Sequence, residues 1–296
     1  MNNRIRQSSE DTLFSILNYA LLIAVFILVV YPLVNILSSS FSSPGAVVAG
    51  RVWLLPVDFT LDGYKAVLNN QQIWTGYLNS LIYTVMGTAI SVALTMTAAY
   101  PLMRKGLPGS GIIMKLMIFT MIFSGGMIPS YLLINDLGMM NSRWAMVIPG
   151  AMSVYYLIIA RTFLKSSIPE EMLEAAQIEG CNDFRYFFHF VLPLSKTIIA
   201  VLTLFYAVEN WNSFFNALLY LRKTDLYPLQ VVVRNILLLS QMAELLGDAK
   251  LSLQYQGMYD LIKYTVIVVA SAPILVLYPL LQRYFLKGVM IGSLKG

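Results

Sequence analysis

Residues 170–193, EEMLEAAQIEGCNDFRYFFHFVLP, form a charged, two-part helical island between two runs that are almost wholly apolar. Ser167-Ile168-Pro169-Glu170 opens it with a Ser-x-x-Glu capping signature and Pro in the first turn. Helix-forming residues continue to Gly180, a position that calls for a left-handed residue or a close backbone approach. A second short helix follows, with Phe184, Phe187, Phe188 and Val191 at i, i+3, i+4 and i+7, which gives it one apolar face. Pro193 ends it. Between membrane spans such an island is either a docking surface for a partner or an amphipathic surface helix with none.

The flanks set the class. The chain has 296 residues, 58% hydrophobic and 12% charged, with a mean hydropathy of +0.69. Soluble domains are about one-quarter charged, so this composition predicts an all-α, polytopic membrane protein. A helical span needs about 20 mainly apolar residues. Six stretches qualify: 13–37, 76–101, 111–134, 145–164, 196–220 and 262–282. Arg4 and Arg6 precede the first, but its apolar core is longer than a signal-peptide core and no clear small-x-small site follows. It reads as an uncleaved span.

Basic residues orient the spans. With the N-terminus inside, the inner segments carry Arg4, Arg6, Arg104, Lys105, Lys115, Arg161, Lys165, Arg185, Lys196, Arg283, Lys287 and Lys295. Of the other eight, six fall in the two long outer segments, where charge counts weigh less. Residues 1–12, the 165–195 island and 283–296 are therefore expected in the cytoplasm, and 38–75 and 221–261 outside. The first outer segment, with Ser-Ser-Pro-Gly and Leu-Pro turns, reads as an ordered loop. The second holds an apolar run, 229–239, interrupted by Arg234 and Asn235, which suits a re-entrant or interfacial segment. The net charge of +5 serves as an orientation signal and not as a nucleic-acid footprint.

Much chemistry is missing. One cysteine, Cys181, and one histidine, His189, exclude an intrachain disulfide and a cysteine- or histidine-rich metal centre. There is no phosphate-binding Gly-x-x-x-x-Gly-Lys-Ser/Thr loop, no His-Glu-x-x-His and no Gly-x-Ser-x-Gly. No catalytic residue is assigned. Acidic groups within the spans are nearly absent apart from Glu209, whereas ion-coupled carriers place ionisable groups there. Energy for transport would have to come from a partner.

With these features in place the island resembles the EAA motif of ABC-importer permeases. Glu174-Ala175-Ala176 is followed by three residues, Gly180, nine residues, then Phe190, one residue and Leu192-Pro193. The family pattern has the same spacings, with Ile where Phe190 stands. The stretches from Phe41 to Val47 and Leu61 to Tyr64, Trp211-Asn212-Ser213-Phe214-Phe215, and the ending from Gln282 to Gly288 are similar to carbohydrate permeases of the maltose-transporter type. The subtype resembles the second, shorter permease of oligosaccharide importers related to lipoprotein-associated and pectin-fragment systems. The resemblance implies a type I importer permease fold in a bacterial cytoplasmic membrane. It also implies a second permease, two ABC ATPase subunits that hold ATP and Mg, and an extracytoplasmic sugar-binding protein, with no cofactor in this chain. Glu174, Ala175, Ala176, Gly180, Leu192 and Pro193 would form the ATPase-coupling element. The same architecture could carry another solute, such as a glycerol phosphate or a peptide; a membrane scaffold or receptor is the reading from a different class.

A candidate substrate face lies in the fifth span. Tyr206, Glu209, Ser213, Asn216 and Tyr220 are spaced three, four, three and four apart, which puts them on one face of a continuous helix. Aromatic and amide groups suit sugars, and polar groups in hydrocarbon face protein or water. The alternative is that they hold helices together. Trp211 lies off this stripe and is expected against a partner permease or lipid. Gly125-Gly126 and Met127-Ile128-Pro129 suggest a kink or a close helix contact in the third span.

Overall fold

Apolar runs interrupted by a few glycines and prolines leave the chain one way to satisfy its backbone inside a membrane, which is helix. In a computed structural model, which describes residues 9–246, 262–276 and 279, every regular element is helical. The expected cytoplasmic C-terminus at 283–296, the Gln282-to-Gly288 resemblance, and parts of 1–12, 221–261 and 262–282 lie outside the described residues. The chain folds as two compact units, one of residues up to 70 with 235–269, the other of residues 71–234 with the segment from 270 onward.

The first unit begins with α1 (Ser9–Ser40), continuous through Pro32 and exposed along its apolar length. The chain then folds back on the end of that helix. Asn35 Nδ2 donates to the carbonyls of Val52 and Trp53 at 2.9 and 3.1 Å, and Ser38 Oγ to that of Leu54 at 2.6 Å. Short helices α2 (Pro44–Val48) and α3 (Asp62–Leu68) follow, α2 capped by Ser43. Phe41 stacks on both Phe59 and Tyr64. The 38–75 stretch is ordered by these contacts.

The second unit is organised by α4 (Gln71–Met103). Its interface carries Asn79, Ser80, Thr88, Ser91 and Thr95, all buried, and two glycines at close approaches. A Cβ on Gly87 would stand 2.8 Å from the Asn210 amide, and one on Gly76 3.2 Å from the Leu229 backbone. Small residues let helix backbones approach, as in other membrane interfaces. After α4 come α5 (Ser110–Ile122) and α6 (Met127–Asp136), bent by 110° at their junction. Gly126 there has φ +86, which glycine alone adopts freely, while Gly125 has only Pro129 near, at 3.9 Å. The Gly-Gly signal thus marks a break and not a close contact. Next come α7 (Trp144–Val147) and α8 (Val154–Ser167), then the island, then α12 (Lys196–Trp211) and α13 (Phe215–Tyr220). Helix α14 (Leu229–Leu246) runs straight through Arg234 and Asn235, and α15 (Ile262–Val276) ends the described chain apart from residue 279. Where α14 begins, the Leu229 amide donates to Ser80 Oγ, Asn79 Nδ2 to the carbonyls of Asp225 and Tyr227, and Tyr83 OH to that of Leu226.

The six stretches expected to span do not appear as six straight helices. Among the described residues, α1 and α4 are long and apolar enough to cross alone, and two more spans would each be a bent pair. The third stretch breaks at 123–126, the fourth is split by a turn with Gly150 at φ +80, and the fifth is split at 212–214. The cause is local backbone geometry that hydropathy does not register. Broken helices are tolerated at membrane depth where protein covers them or a cavity opens.

Candidate functional site

The island's first half is α9 (Glu170–Ile178). Its start corrects the capping-box expectation. Ser167 is the last residue of α8, Ile168 is extended, and Pro169 stands at the N-cap with no side-chain cap. Proline disfavours helix at the residue before it, so Ile168 breaks the chain and strands the serine in the preceding helix. The first turn is instead made favourable by Glu170 and Glu171 at the positive end of the helix dipole. The end of α9 follows its sequence closely. The Cys181 amide donates to the Ala176 carbonyl at 2.9 Å and the Gly180 amide to Gln177 at 3.0 Å, with Gly180 at φ +80: a Schellman cap. A Cβ on Gly180 would meet nothing within 4 Å, so of the two reasons for a glycine here the left-handed backbone is the operative one.

On α9, Leu173 and Ala176 are buried, while Glu174 and Ala175 are exposed. Ile178, which nothing in the spacing singled out, is 88% exposed, and Phe184 beyond the cap is 79% exposed. Two uncovered apolar side chains flank Gly180, on a segment whose polar neighbours Gln177, Glu179 and Asn182 are also exposed.

The second half starts at Asn182, whose side chain accepts from the Arg185 amide at 2.8 Å and caps α10 (Asp183–Tyr186). A π-helical turn, Phe187–Val191, and α11 (Leu192–Leu194) complete it. Because a π turn carries extra residues, the i, i+3, i+4, i+7 face does not hold together. Phe187 and Val191 are buried, but Phe184 and Phe188 are exposed, and Tyr186 takes the core position with its ring stacked on Phe190 at 5.3 Å. Burial pushes the Tyr186 phenol up from its ordinary value. Pro193 offers no amide to the His189 carbonyl, and the chain bends by 78° at Ser195 into α12 (Lys196–Trp211). Tyr186, Phe187 and Val191 share one apolar core with Leu173 and Ala176 of α9, Leu164 of α8, Tyr100 of α4 and Leu202 of α12, and Leu192 packs on it.

In the sequence Arg104, Lys105 and Arg161 serve only to orient the spans. The structure gives them partners. Arg104 Nη1 meets Asp183 Oδ1 at 2.7 Å, Lys105 Nζ meets Glu170 Oε2 at 2.6 Å, and Arg161 Nε donates to the Leu102 carbonyl at 2.7 Å. The hydrogen bond to Glu170 holds the Lys105 ammonium above its ordinary range, with the charges of Glu170, Glu171 and Glu174 adding to it. These partners are 59 to 79 residues away in sequence, and neither α-periodicity nor spacing reports them.

The candidate substrate face does not survive as one helical stripe. The helix stops at Trp211 and restarts as α13 (Phe215–Tyr220), so the five residues sit on two helices. Tyr206 is 2% exposed, its hydroxyl shares a 2.7 Å hydrogen bond with Thr95 Oγ, and the Ser153 amide donates to it at 3.1 Å. Tyr220 is buried with Ile134 and Ala145 and stacks near Tyr131. Glu209 is exposed and close to Tyr156, and Ser213 and Asn216 are part-exposed. Trp211, expected against a partner or lipid, is 3% exposed: its indole N–H donates to the Ala270 carbonyl at 3.0 Å and its ring meets the edge of Tyr77. A polar indole N–H in a membrane interior has to find an acceptor, and the chain supplies one. His189 Nδ1 lies 3.1 Å from the Arg185 carbonyl. Among the described residues no group of three His, Cys, Asp or Glu converges as a metal-ligand set.

Comparison with known proteins matches residues 66–291 to the family described as binding-protein-dependent transport system inner membrane component. The chain is 39% identical, over 97% of its length and 100% of the relative's, to the polygalacturonan/rhamnogalacturonan transport system permease protein YtcP of Bacillus subtilis. It is also 39% identical to Protein LplC of the same organism, over 99% of this chain and 98% of that one. Among solved structures it resembles a bacterial ABC transporter involved in the import of the acidic polysaccharide alginate. The TM-score is 0.85 at 32% identity, covering 95% of this chain and 99% of that one.

Proposed function

The chain belongs to the inner membrane components of binding-protein-dependent transport systems, and on that basis we propose that it forms, with a second permease, the membrane path for an oligosaccharide. It is a permease subunit of an ABC importer, and ATP is hydrolysed on separate subunits. In the proposed assembly two ATPase subunits carry the Mg-ATP, and an extracytoplasmic binding protein delivers the sugar. An acidic oligosaccharide is the first candidate, since relatives at 39% and 32% identity are named for polygalacturonan/rhamnogalacturonan and alginate.

The island is the proposed coupling element. The observation that carries this is the exposed end of α9, where a Schellman cap at Gly180 holds Ile178 uncovered while Leu173 and Ala176 anchor the same helix in the core. A docked ATPase would cover the apolar side chains and find Glu174, which among the described residues makes no ion pair, free to take a basic partner. Leu192 and Pro193 set the bend that leads into α12. Substrate contact is assigned to Glu209, Ser213 and Asn216, the exposed or part-exposed members of the original five. The test is ATPase stimulation of the purified complex by galacturonate, alginate and malto-oligosaccharides. Stimulation by the first or second supports the reading; stimulation by none, with peptides or glycerol phosphates active, overturns it.

A further inference from the structure

We propose that residues 104–105, at the inner end of α4, are a rigid joint that carries displacement of the island into α4, with Arg104 and Asp183 as its positioning pair. This rests on the coupling role given to the island above. Two consecutive side chains reach two different helices: Arg104 grips Asp183 in the first turn of α10, and Lys105 grips Glu170 in the first turn of α9. One residue before the end of α4, the Leu102 carbonyl is held by Arg161 of α8. Three helices that already share an apolar core with α4 are therefore also tied by polar contacts to one short segment.

The Arg104 pair is better placed than an ordinary surface bridge. Arg104 is 28% exposed and lies over the Tyr100 ring at 6.0 Å, and Tyr100 OH approaches the same Asp183 oxygen at 3.5 Å. The Tyr100 ring in turn packs on Phe187 at 5.3 Å. An isolated exposed pair adds little stability, so the gain here is geometric: the pair fixes the start of α10 against α4. From there α4 packs along α12 and α8, which puts the joint in line with the proposed path. A cavity of about 580 Å³ beside the pair, lined by Tyr100, Leu107, Phe184 and Phe187 among others, leaves room for an exchanged charge.

The joint is tested by spin-label distances in the full complex, with labels at Glu171→Cys on α9 and Leu94→Cys on α4 in a Cys181→Ala background. Between nucleotide-free and ATP-vanadate-trapped states the separation is expected to change by less than about 2 Å, since the two move as one body. Arg104→Asp and Asp183→Arg should each broaden or shift it, and the double exchange should restore it. A change of more than about 2 Å in the unreversed complex would mean a hinge and overturn the proposal. So would a double exchange that stays broadened. If the single reversals fail to assemble, the unreversed complex alone decides. The coupling role fails separately: Gly180→Val would then hold its ATPase as well as the parent does, whatever the label distance.

Discussion

The 170–193 island and the α12–α13 region carry equally suggestive residue patterns, yet only the island keeps part of its pattern, the cap at Gly180, in three dimensions. In the island the informative positions act within one or two turns. Gly180 closes a cap formed by Ala176, Gln177 and Cys181, and Asn182 caps the next helix through Arg185. In α12–α13 the stripe from Tyr206 to Tyr220 requires fifteen residues of unbroken helix, and the helix stops at Trp211. Short-range backbone chemistry is carried by the residues that show it. A long helical face is conditional on everything that helix packs against.

The sharpest way to break that contrast is at Gly180. Gly180→Val places a β-branched residue at φ +80, a conformation costing about 1–2 kcal/mol for ordinary residues and more for branched ones. Uptake and ATPase co-purification should fall about tenfold or more, the permease still being inserted. Gly180→Asn should keep most of both, because asparagine tolerates the left-handed region and no neighbour lies within 4 Å. Equal loss in the two variants would mean that the position serves something other than the cap.

The same contrast explains what could be read in advance. Helical class, the island and its glycine follow from composition and from bonds that span five residues or fewer. The break at 123–126 was signalled by Gly125-Gly126, but its 110° angle was not. The π turn was hidden because Phe184, Phe187, Phe188 and Val191 fit α-periodicity, and only Pro193 hinted at a disturbed ladder. Arg104 and Lys105 showed themselves as basic residues after a span, but their carboxylate partners lie across the fold in the island. The burial of Trp211 escapes the sequence for a similar reason, since its acceptor, the Ala270 carbonyl, is 59 residues away.

Tyr206 offers the next largest effect. Tyr206→Phe leaves the Ser153 amide and the buried Thr95 hydroxyl without their shared partner, at a cost of about 1–3 kcal/mol. The purified complex should melt several degrees lower with its sugar preference unchanged. A changed preference at unchanged melting temperature would return Tyr206 to the path and restore the stripe. Asn216→Ala should do the reverse: a few-fold change in half-saturation across the oligosaccharide panel, about 1 kcal/mol or less, at constant stability. Identical uptake curves for every sugar would remove Asn216 from the path.

Two substitutions of Tyr186 separate packing from hydrogen bonding inside the island itself. Tyr186 is wholly buried, its ring stacks on Phe190, and its hydroxyl has no hydrogen-bond partner among the described residues. An unpaired buried hydroxyl costs about 1–3 kcal/mol, so Tyr186→Phe should leave stability unchanged or raise it by up to about that much. Tyr186→Ala, by contrast, empties a ring-sized space under α10 and should cost about 3–5 kcal/mol. If the island is held by packing and by its caps, transport follows the ring and ignores the hydroxyl. A Phe variant that melts lower than the parent would mean that the hydroxyl is hydrogen-bonded inside the island, and that packing and caps alone do not hold it.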